Sequence, residues 1–393
     1  MKKIKEFAKL INGYAFKSKN YVNQGIRVIR IANVQDGYVV DDTPCFYPEN
    51  SSENITQYQL FENDLLVSLT GNVGRVALLP KTMLPAALNQ RVCCLRIDET
   101  MVNRKYLFYY LRRKQFVKDC IDASKGVAQL NLSTKWLEEY EVPVPSISEQ
   151  ERIVARIEEL FSQLDKSVET LQKVKEQLAV YRQAVYASVF DNKKEKQSIT
   201  EFFEISGGLT KNSKRIEFPI KMPYLRVANV YYNKLDLDEI KTIGVNPSEV
   251  ERTLLLKNDL LFVEGNGSKE QIGRVAIWDG SIENCLHQNH LIKGRPNGKM
   301  IPLYALYYLI SSYGREQILK VASSTSGLYT LSTNKVRNLM IPYCDLEEQV
   351  ECIKMIERCV SVCDSIESAV NSVLKQAEAM RQSILKQEFE GKL

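Results

Sequence analysis

Histidine is nearly absent from this sequence: His287 and His290 are the only two in 393 residues. Ser–His and Cys–His nucleophilic chemistry therefore has almost no raw material. No apolar run approaches the roughly 18–20 residues needed to span a bilayer. The opening MKKIKEFAKL carries charge but no apolar stretch or small-residue cleavage site, so no signal peptide is expected. Nine cysteines are scattered without a C-x-x-C pair, which fits reduced thiols in a cytoplasm better than a disulfide framework. Adjacent Cys93 and Cys94 would point to opposite faces of a strand, and Cys359 and Cys363, one helical turn apart, read as small apolar core residues. Cofactor signatures are missing too. GNGSKEQIG (265–273) resembles a nucleotide fingerprint in composition only, and GRPNGK (294–299) has the wrong spacing for a phosphate loop. Cys285, His287 and His290 fall short of the four ligands zinc prefers, and the matching ALNQRV has none, so no metal site is expected.

What is present is a repetition. IRIANV (29–34) returns as LRVANV (225–230), NDLL (63–66) as NDLL (258–261), and GRVA (74–77) as GRVA (273–276). YLFYYL (106–111) returns as YALYYL (304–309), and Arg182-Gln183 with Phe190 as Arg381-Gln382 with Phe389. Order and spacing both recur over nearly the whole chain, at a period far beyond the roughly 20–50 residues of a solenoid. The expected organisation is a globule over 1–147, a helix over 148–192, a second globule over 193–345 and a second helix over 346–393. Short apolar or alternating runs such as DLLVSLT and QRVCCLRI, broken by Gly, Asn and Pro, make each globule mixed and strand-rich. One helix is expected in each, over 103–113 and 302–312, with most of its tyrosines packed in the core.

The long helices follow from periodicity. Ile157, Leu160, Leu164, Val168, Leu171, Val174, Leu178, Tyr181, Val185 and Val189 step by threes and fours. Ile353, Ile356, Val360, Cys363, Ile366, Val370, Val373, Ala377, Met380 and Ile384 do the same. A stripe repeating near 3.5 residues is a coiled-coil seam. Both helices follow proline and open with matched caps, Ser146-x-x-Glu149 and Asp345-x-x-Glu348. Each stripe is expected to cover the other in antiparallel pairing, as a rod of roughly 60 Å.

Charge alternates with this order. Residues 1–147 carry 20 Lys+Arg against 15 Asp+Glu and residues 193–345 carry 21 against 16, whereas 148–192 and 346–393 are mildly acidic. Basic globules suggest a polyanion partner. Polar, basic, glycine-containing loops recur at matched places: FKSKNYVNQG (16–25), TGNVGR (70–75), NQR (89–91) and SKGVAQ (124–129), then GGLTKNSKR (207–215), EGNGSKEQIGR (264–274), HQNH (287–290) and SSTSGLY (323–329). They hold Lys and Arg for phosphates and Asn, Gln and Arg for base edges. The framework strings recur while the loop strings diverge, a pattern of two specificities on one scaffold.

The residues NGYAFKSKNYV, GIRVIRIANV, ISGGLTKNSK and MPYLRVANV, with the junction QLNLSTKWLEEYEVPVPSISEQERIVARIEELFSQLD echoed as YTLSTNKVRNLMIPYCDLEEQVECI, resemble the specificity subunit of a type I restriction–modification system. The second junction departs from the first, reading MIPYCDLEEQ without the P-x-P. The resemblance implies an α+β fold: two mixed α/β target recognition domains, separated by two long helices that form an antiparallel coiled coil. It implies double-stranded DNA as ligand, two methyltransferase subunits and restriction subunits as partners, no membrane, and no catalytic residue in this chain. S-adenosylmethionine, magnesium and ATP would belong to the partner subunits. Expected DNA contacts are Lys17, Lys19, Asn72, Arg75, Asn89, Gln90, Arg91, Lys125, Lys211, Lys214, Asn266, Lys269, Arg274, His287, Gln288 and His290, with Arg75 and Arg274 either on phosphates or structural. The expected coil core is Leu160, Leu164, Val168, Leu171, Leu178, Val185, Ile356, Val360, Ile366, Val370, Val373 and Met380. The alternative is a coiled-coil scaffold whose globules bind protein or glycan; it would show no salt-dependent DNA binding.

Overall fold

A computed structural model describes residues 1–50, 55–126, 129–193, 195–325 and 327–391. Packing divides the chain into two units, Met1–Leu171 with Ser372–Leu393, and Gln172–Asn371. The two long helices run Ile147–Phe190 and Leu346–Phe389, so each unit holds one globule and a segment of both. Among the described residues no helix is long and apolar enough to cross a membrane.

In the first unit the short apolar runs form two four-stranded sheets. One is antiparallel, in the order Ala8–Asn12, Val92–Ile97, Leu65–Ser68, Val76–Leu78. The other orders Phe46–Tyr47, Ile26–Ile29, Ala86–Leu88, Gln59–Leu60, with its central pair parallel. The two-residue period sends Leu65, Val67, Cys93 and Leu95 into the core of the tyrosine-rich helix Arg104–Leu111. Leu66, Ala77, Val92 and Cys94 go to the opposite face, into the core beneath the second sheet. The second unit repeats this with Phe203–Gly207, Leu291–Pro296, Leu260–Val263, Val275–Ile277, and with Lys241–Val245, Ile220–Leu225, Leu286–His287.

The recurring strings are backbone devices. In Arg-x-Ala-Asn, the buried Asn33 accepts from the backbone N–H of Arg30 and donates to Val40 O; Asn229 accepts from Arg226 and donates to Asp236 O. In NDLL, Asn63 and Asn258 take the left-handed conformation (φ 62° and 77°) that asparagine tolerates. Asp64 and Asp259 then accept from the backbone N–H groups of Phe61 and Leu256. In GRVA, a Cβ on Gly74 would lie 2.9 Å from Cys120 Sγ, and one on Gly273 2.5 Å from Ile318 Cγ2, so only glycine lets the following helix pack there.

Both long helices start as their caps predict, with Glu149 N–H donating to Ser146 Oγ (3.3 Å) and Glu348 N–H to Asp345 Oδ1 (2.8 Å). The next residue in each is a fully buried glutamine. Gln150 Oε1 accepts from Asn103 N–H (2.7 Å) while its amide donates to Pro145 O and Met101 O; Gln349 Oε1 accepts from Ile301 N–H (2.8 Å) and its amide donates to Cys344 O. Each thus fastens a long helix to the start of a tyrosine-rich one. The far ends close the same cores. Phe389 sits edge-on to Tyr106 and Tyr110 in the first unit, and Phe190 to Tyr304 and Tyr308 in the second.

In each unit the helix segments run antiparallel: Asp165 pairs with Arg381 in the first, Arg182 with Asp364 and Glu367 in the second. The seam differs from its sequence reading in the C-terminal helix. Ile366, Val373 and Met380 are exposed (40, 45 and 54%), as is Tyr181 in the central helix. The buried row is Ile356, Cys363, Val370, Ala377 and Ile384, an unbroken seven-residue spacing. Its companion row falls on Glu367, Leu374 and Arg381, one residue beyond the expected apolar ones. Hydrophobicity alone misses these positions because two are charged: Glu367 is paired across the seam to Arg182, and Arg381 to Asp165 while lying over Phe161. Of the remaining expected core residues, Val185, Ile356 and Val370 are buried, and Leu160, Leu164, Val168, Leu171, Leu178 and Val360 are half-buried.

Phe190→Ala should cost about 3–5 kcal/mol. Hydrogen exchange should localise the loss to Tyr304, Tyr308 and their neighbours, while the first unit keeps its protection.

Candidate nucleic-acid interface

Backbone hydrogen bonds join three polar loops of the first unit, TGNVGR, NQR and SKGVAQ, to one another and to Tyr14, just ahead of the fourth. Tyr14 N–H donates to Leu88 O, Gln90 N–H to Tyr14 O, and Leu69 N–H to Arg91 O. Gly71 N–H donates to Leu130 O, and Lys125 pairs with Asn131, whose side-chain oxygen accepts from Thr70 Oγ1 (2.8 Å). The second unit repeats the scheme. Leu209 N–H donates to His287 O, Asn289 N–H to Leu209 O, Glu264 N–H to His290 O, and Leu331 N–H to Glu264 O. Close approach requires glycine at Gly13 and Gly208, where a Cβ would lie 2.1 Å from Asn89 O and 2.2 Å from His287 O.

In these loops Gln90 and Arg91 are exposed and Asn89 half-buried. Ser68 Oγ donates to Asn72 O and accepts from Arg75 N–H, which fixes that turn and leaves the Asn72 side chain exposed. Lys17, Lys19, Lys125, Lys211, Lys214 and Lys269 are exposed, and Gln288 is half-buried. Asn266 spends its side-chain oxygen on Ser268 N–H in a turn. His290 is exposed with Nδ1 3.0 Å from Glu264. Residues 127–128 of SKGVAQ and Ser326 of SSTSGLY lie outside the described residues.

Three expected contacts are engaged within the protein, Arg75 half-buried and the other two buried. Arg75 donates to Gln35 Oε1 (2.7 Å). Arg274 is buried, donates to Val227 O and Gln271 Oε1, and lies over the Tyr231 ring, so of its two expected roles the geometry gives the structural one. His287 is fully buried and cannot reach a ligand from there. It belongs to a set of basic side chains that caps the helix Pro247–Thr253. Thr253 O accepts from His287 Nδ1 (2.9 Å), Arg252 O and Leu254 O accept from Lys293 Nζ, and Leu254 O also accepts from Arg295. These are the orphan carbonyls of a helix C-terminus, where positive charge is favourable. Burial holds the His287 pKa down at about 3 and pushes Lys293 down to about 8.

The hydrogen bonds also set the register between the repeats: Leu88 answers to His287, Asn89 to Gln288, Gln90 to Asn289 and Arg91 to His290. Asn289, at the position matching exposed Gln90, was missed by sequence reasoning. Aligning LNQRV with HQNHL on the hydrophobic strand starts Val92 and Leu291 would have found it. Among the described residues no group of three or more His, Cys, Asp and Glu is placed to hold a metal ion.

The pattern of the family described as the type I restriction modification DNA specificity domain matches residues 1–178 and 192–376. The chain belongs to this family and carries two of its domains: it is a DNA sequence-specificity subunit of the type I restriction–modification class. It is 25% identical to the type I restriction enzyme EcoBI specificity subunit of Escherichia coli, over 98% of this chain and 84% of that protein. It is 23% identical to the EcoKI specificity subunit of Escherichia coli strain K12, over 98% of this chain and 87% of that one. A solved chain from a structure described as the basis of complex assembly and conformational transition of the type I R-M system has the same fold. It aligns with a TM-score of 0.70 at 16% identity, over 100% of this chain and 97% of its own.

Because His287 stays neutral when folded and an unfolded imidazole takes up a proton below about pH 6.5, the folded form loses stability as pH falls from there toward 3. The stability of the second unit in thermal unfolding should fall by about 1.6 kcal/mol between pH 6.5 and 5 from this group. His287→Leu, the residue of the matching first-repeat position, should flatten that dependence without changing the salt slope of DNA binding.

Proposed function

We propose that the two loop edges are the DNA-reading surfaces, each taking one half of a split double-stranded site. The observation that carries this reading is the conserved scheme of backbone bonds under divergent side chains: Asn89-Gln90-Arg91 in one unit, Gln288-Asn289-His290 in the other. A rigid seat with interchangeable polar residues is what base readout needs, since a few side chains must meet base edges in fixed register. Gln90, Arg91, Asn72, Gln288, Asn289 and His290 carry base contacts, while Lys17, Lys19, Lys125, Lys211, Lys214 and Lys269 carry phosphates. Half-sites spaced near one helical turn, about 34 Å, suit two such domains on one molecule.

The chain itself performs no catalysis on this reading. It works in a complex with two methyltransferase subunits, and with restriction subunits when cleavage occurs; S-adenosylmethionine, magnesium and ATP are bound there. The paired helices set the half-site separation and offer the docking surface for the methyltransferase subunits.

The decisive test is methylome sequencing. The chain and its neighbouring methyltransferase subunit are expressed in a methylation-free host, and modified adenines are mapped. A split motif that disappears without this chain supports the reading; a soluble complex with no motif overturns it. Gln90→Ala should relax one half-site only, by about 1–3 kcal/mol. Asn289→Ala should do the same at the other half-site. Lys17→Ala with Lys19→Ala should instead weaken all sequences alike and lower the salt slope.

A further inference from the structure

The two repeats differ in a place that has no part in the loop edge. In the first unit, the helix Lys114–Ala123 and the C-terminal helix bound a groove of about 570 Å³. Its floor is apolar: Val117, Ala379 and Ile121, the last 46% exposed. Lys114, Lys118 and Lys375 rim it, and none of the three makes an ion pair among the described residues. Arg112 and Asp36 also line it but are tied to each other, with Arg112 lying over Phe108, and Glu378, the other carboxylate of the lining, lies 3.8 Å from Arg381, so the lining still carries more positive than negative charge. Gln382, also in the lining, accepts from Lys114 N–H (3.0 Å) and donates to Arg112 O (3.3 Å), which ties the C-terminal helix to the short one.

The second unit places the equivalent helix at Ser312–Val321, and the matched tyrosines and Phe190/Phe389 fix the correspondence. Ser312 stands for Lys114, Glu316 for Lys118, and Glu176 of the central helix for Lys375. Glu316 is already paired with Lys320. The three free cations of one repeat are thus a serine and two glutamates in the other. A framework feature would be kept in both copies, as the caps, the buried glutamines and the inserted phenylalanines are.

We propose that this groove is a docking site for an acidic amphipathic segment of a partner protein, bound once per chain. Charge complementarity selects the occupant. Three unpaired lysines around an apolar floor match a helix with carboxylates flanking a short apolar row. A phosphodiester backbone would satisfy the lysines but leave Ile121 facing water, whereas an amphipathic helix covers both. Contacts made through features common to the two repeats allow two copies of a partner per chain; this one allows a single copy and marks the first domain.

The test is photo-crosslinking in the complete assembly: the full chain, its co-purified methyltransferase and restriction subunits, and a duplex. p-Benzoylphenylalanine replaces Lys118 in one preparation and Glu316 in another; both sites are exposed, so folding is spared. The expected result is a crosslink from position 118 to an acidic amphipathic segment of a protein subunit, at one copy per chain, with none from position 316. Lys114→Glu with Lys375→Glu should lower the yield from position 118 at least tenfold while leaving modified-site specificity unchanged. A crosslink to DNA, a crosslink to a basic or non-amphipathic segment, equal yields from both positions, or no crosslink at all would each overturn the proposal.

Discussion

A side-chain amide buried at the start of each long helix is the constraint on which each unit depends. Gln150 and Gln349 satisfy backbone groups that would otherwise be buried without partners, and they do so on the loop leading into the tyrosine-rich helix. An orphaned polar group there would cost about 1–3 kcal/mol. With the helix start fixed, its direction is fixed, and Phe190 or Phe389 at the end of the other long helix has a defined slot between two tyrosines. Sheet, tyrosine-rich helix and coil are thereby one packed body rather than a globule with an appendage.

The long helices, their caps, the tyrosine-rich helices, the duplication and the strand-rich globules were legible in the sequence because each rests on a local or periodic signal; the single helix expected in each globule was too few, since the short helices Lys114–Ala123 and Ser312–Val321 follow the tyrosine-rich ones almost without a break. The seam register was not. Glu367 and Arg381 occupy positions that a hydrophobicity pattern assigns to Ile366 and Met380, and only the ion pairs with Arg182 and Asp165 reveal why charge is tolerated there. Neither charge is deeply buried, which is how the pairs avoid the full desolvation cost of interior ions.

The candidate site was legible as a set of loops and less so residue by residue. Which loops pair up between the two repeats follows from matched position and composition. Which side chain points outward follows from strand register, and a one-residue slip inverts it. HQNH illustrates this: its first histidine takes the inward place of Leu88 and caps a helix, while Asn289 takes the outward place of Gln90. Arg75 and Arg274 recur for the opposite reason to the loops, since both bond to framework residues, Arg75 to Gln35 and buried Arg274 to Val227.

The backbone bonds under the edge have a consequence for how such a protein changes over generations. Tyr14, Leu88 and Leu69, like Leu209, His287 and Glu264, hold the loops through main-chain N–H and carbonyl groups, which every residue but proline supplies. Side chains at exposed Gln90 and Arg91 or half-buried Asn289 can therefore be exchanged with little effect on folding, because surface substitutions away from caps and cores stay within about 0.5 kcal/mol. If the edges read DNA as proposed, stability and specificity are written in different parts of the chain, and mutation can explore new targets one half at a time while the scaffold stays fixed.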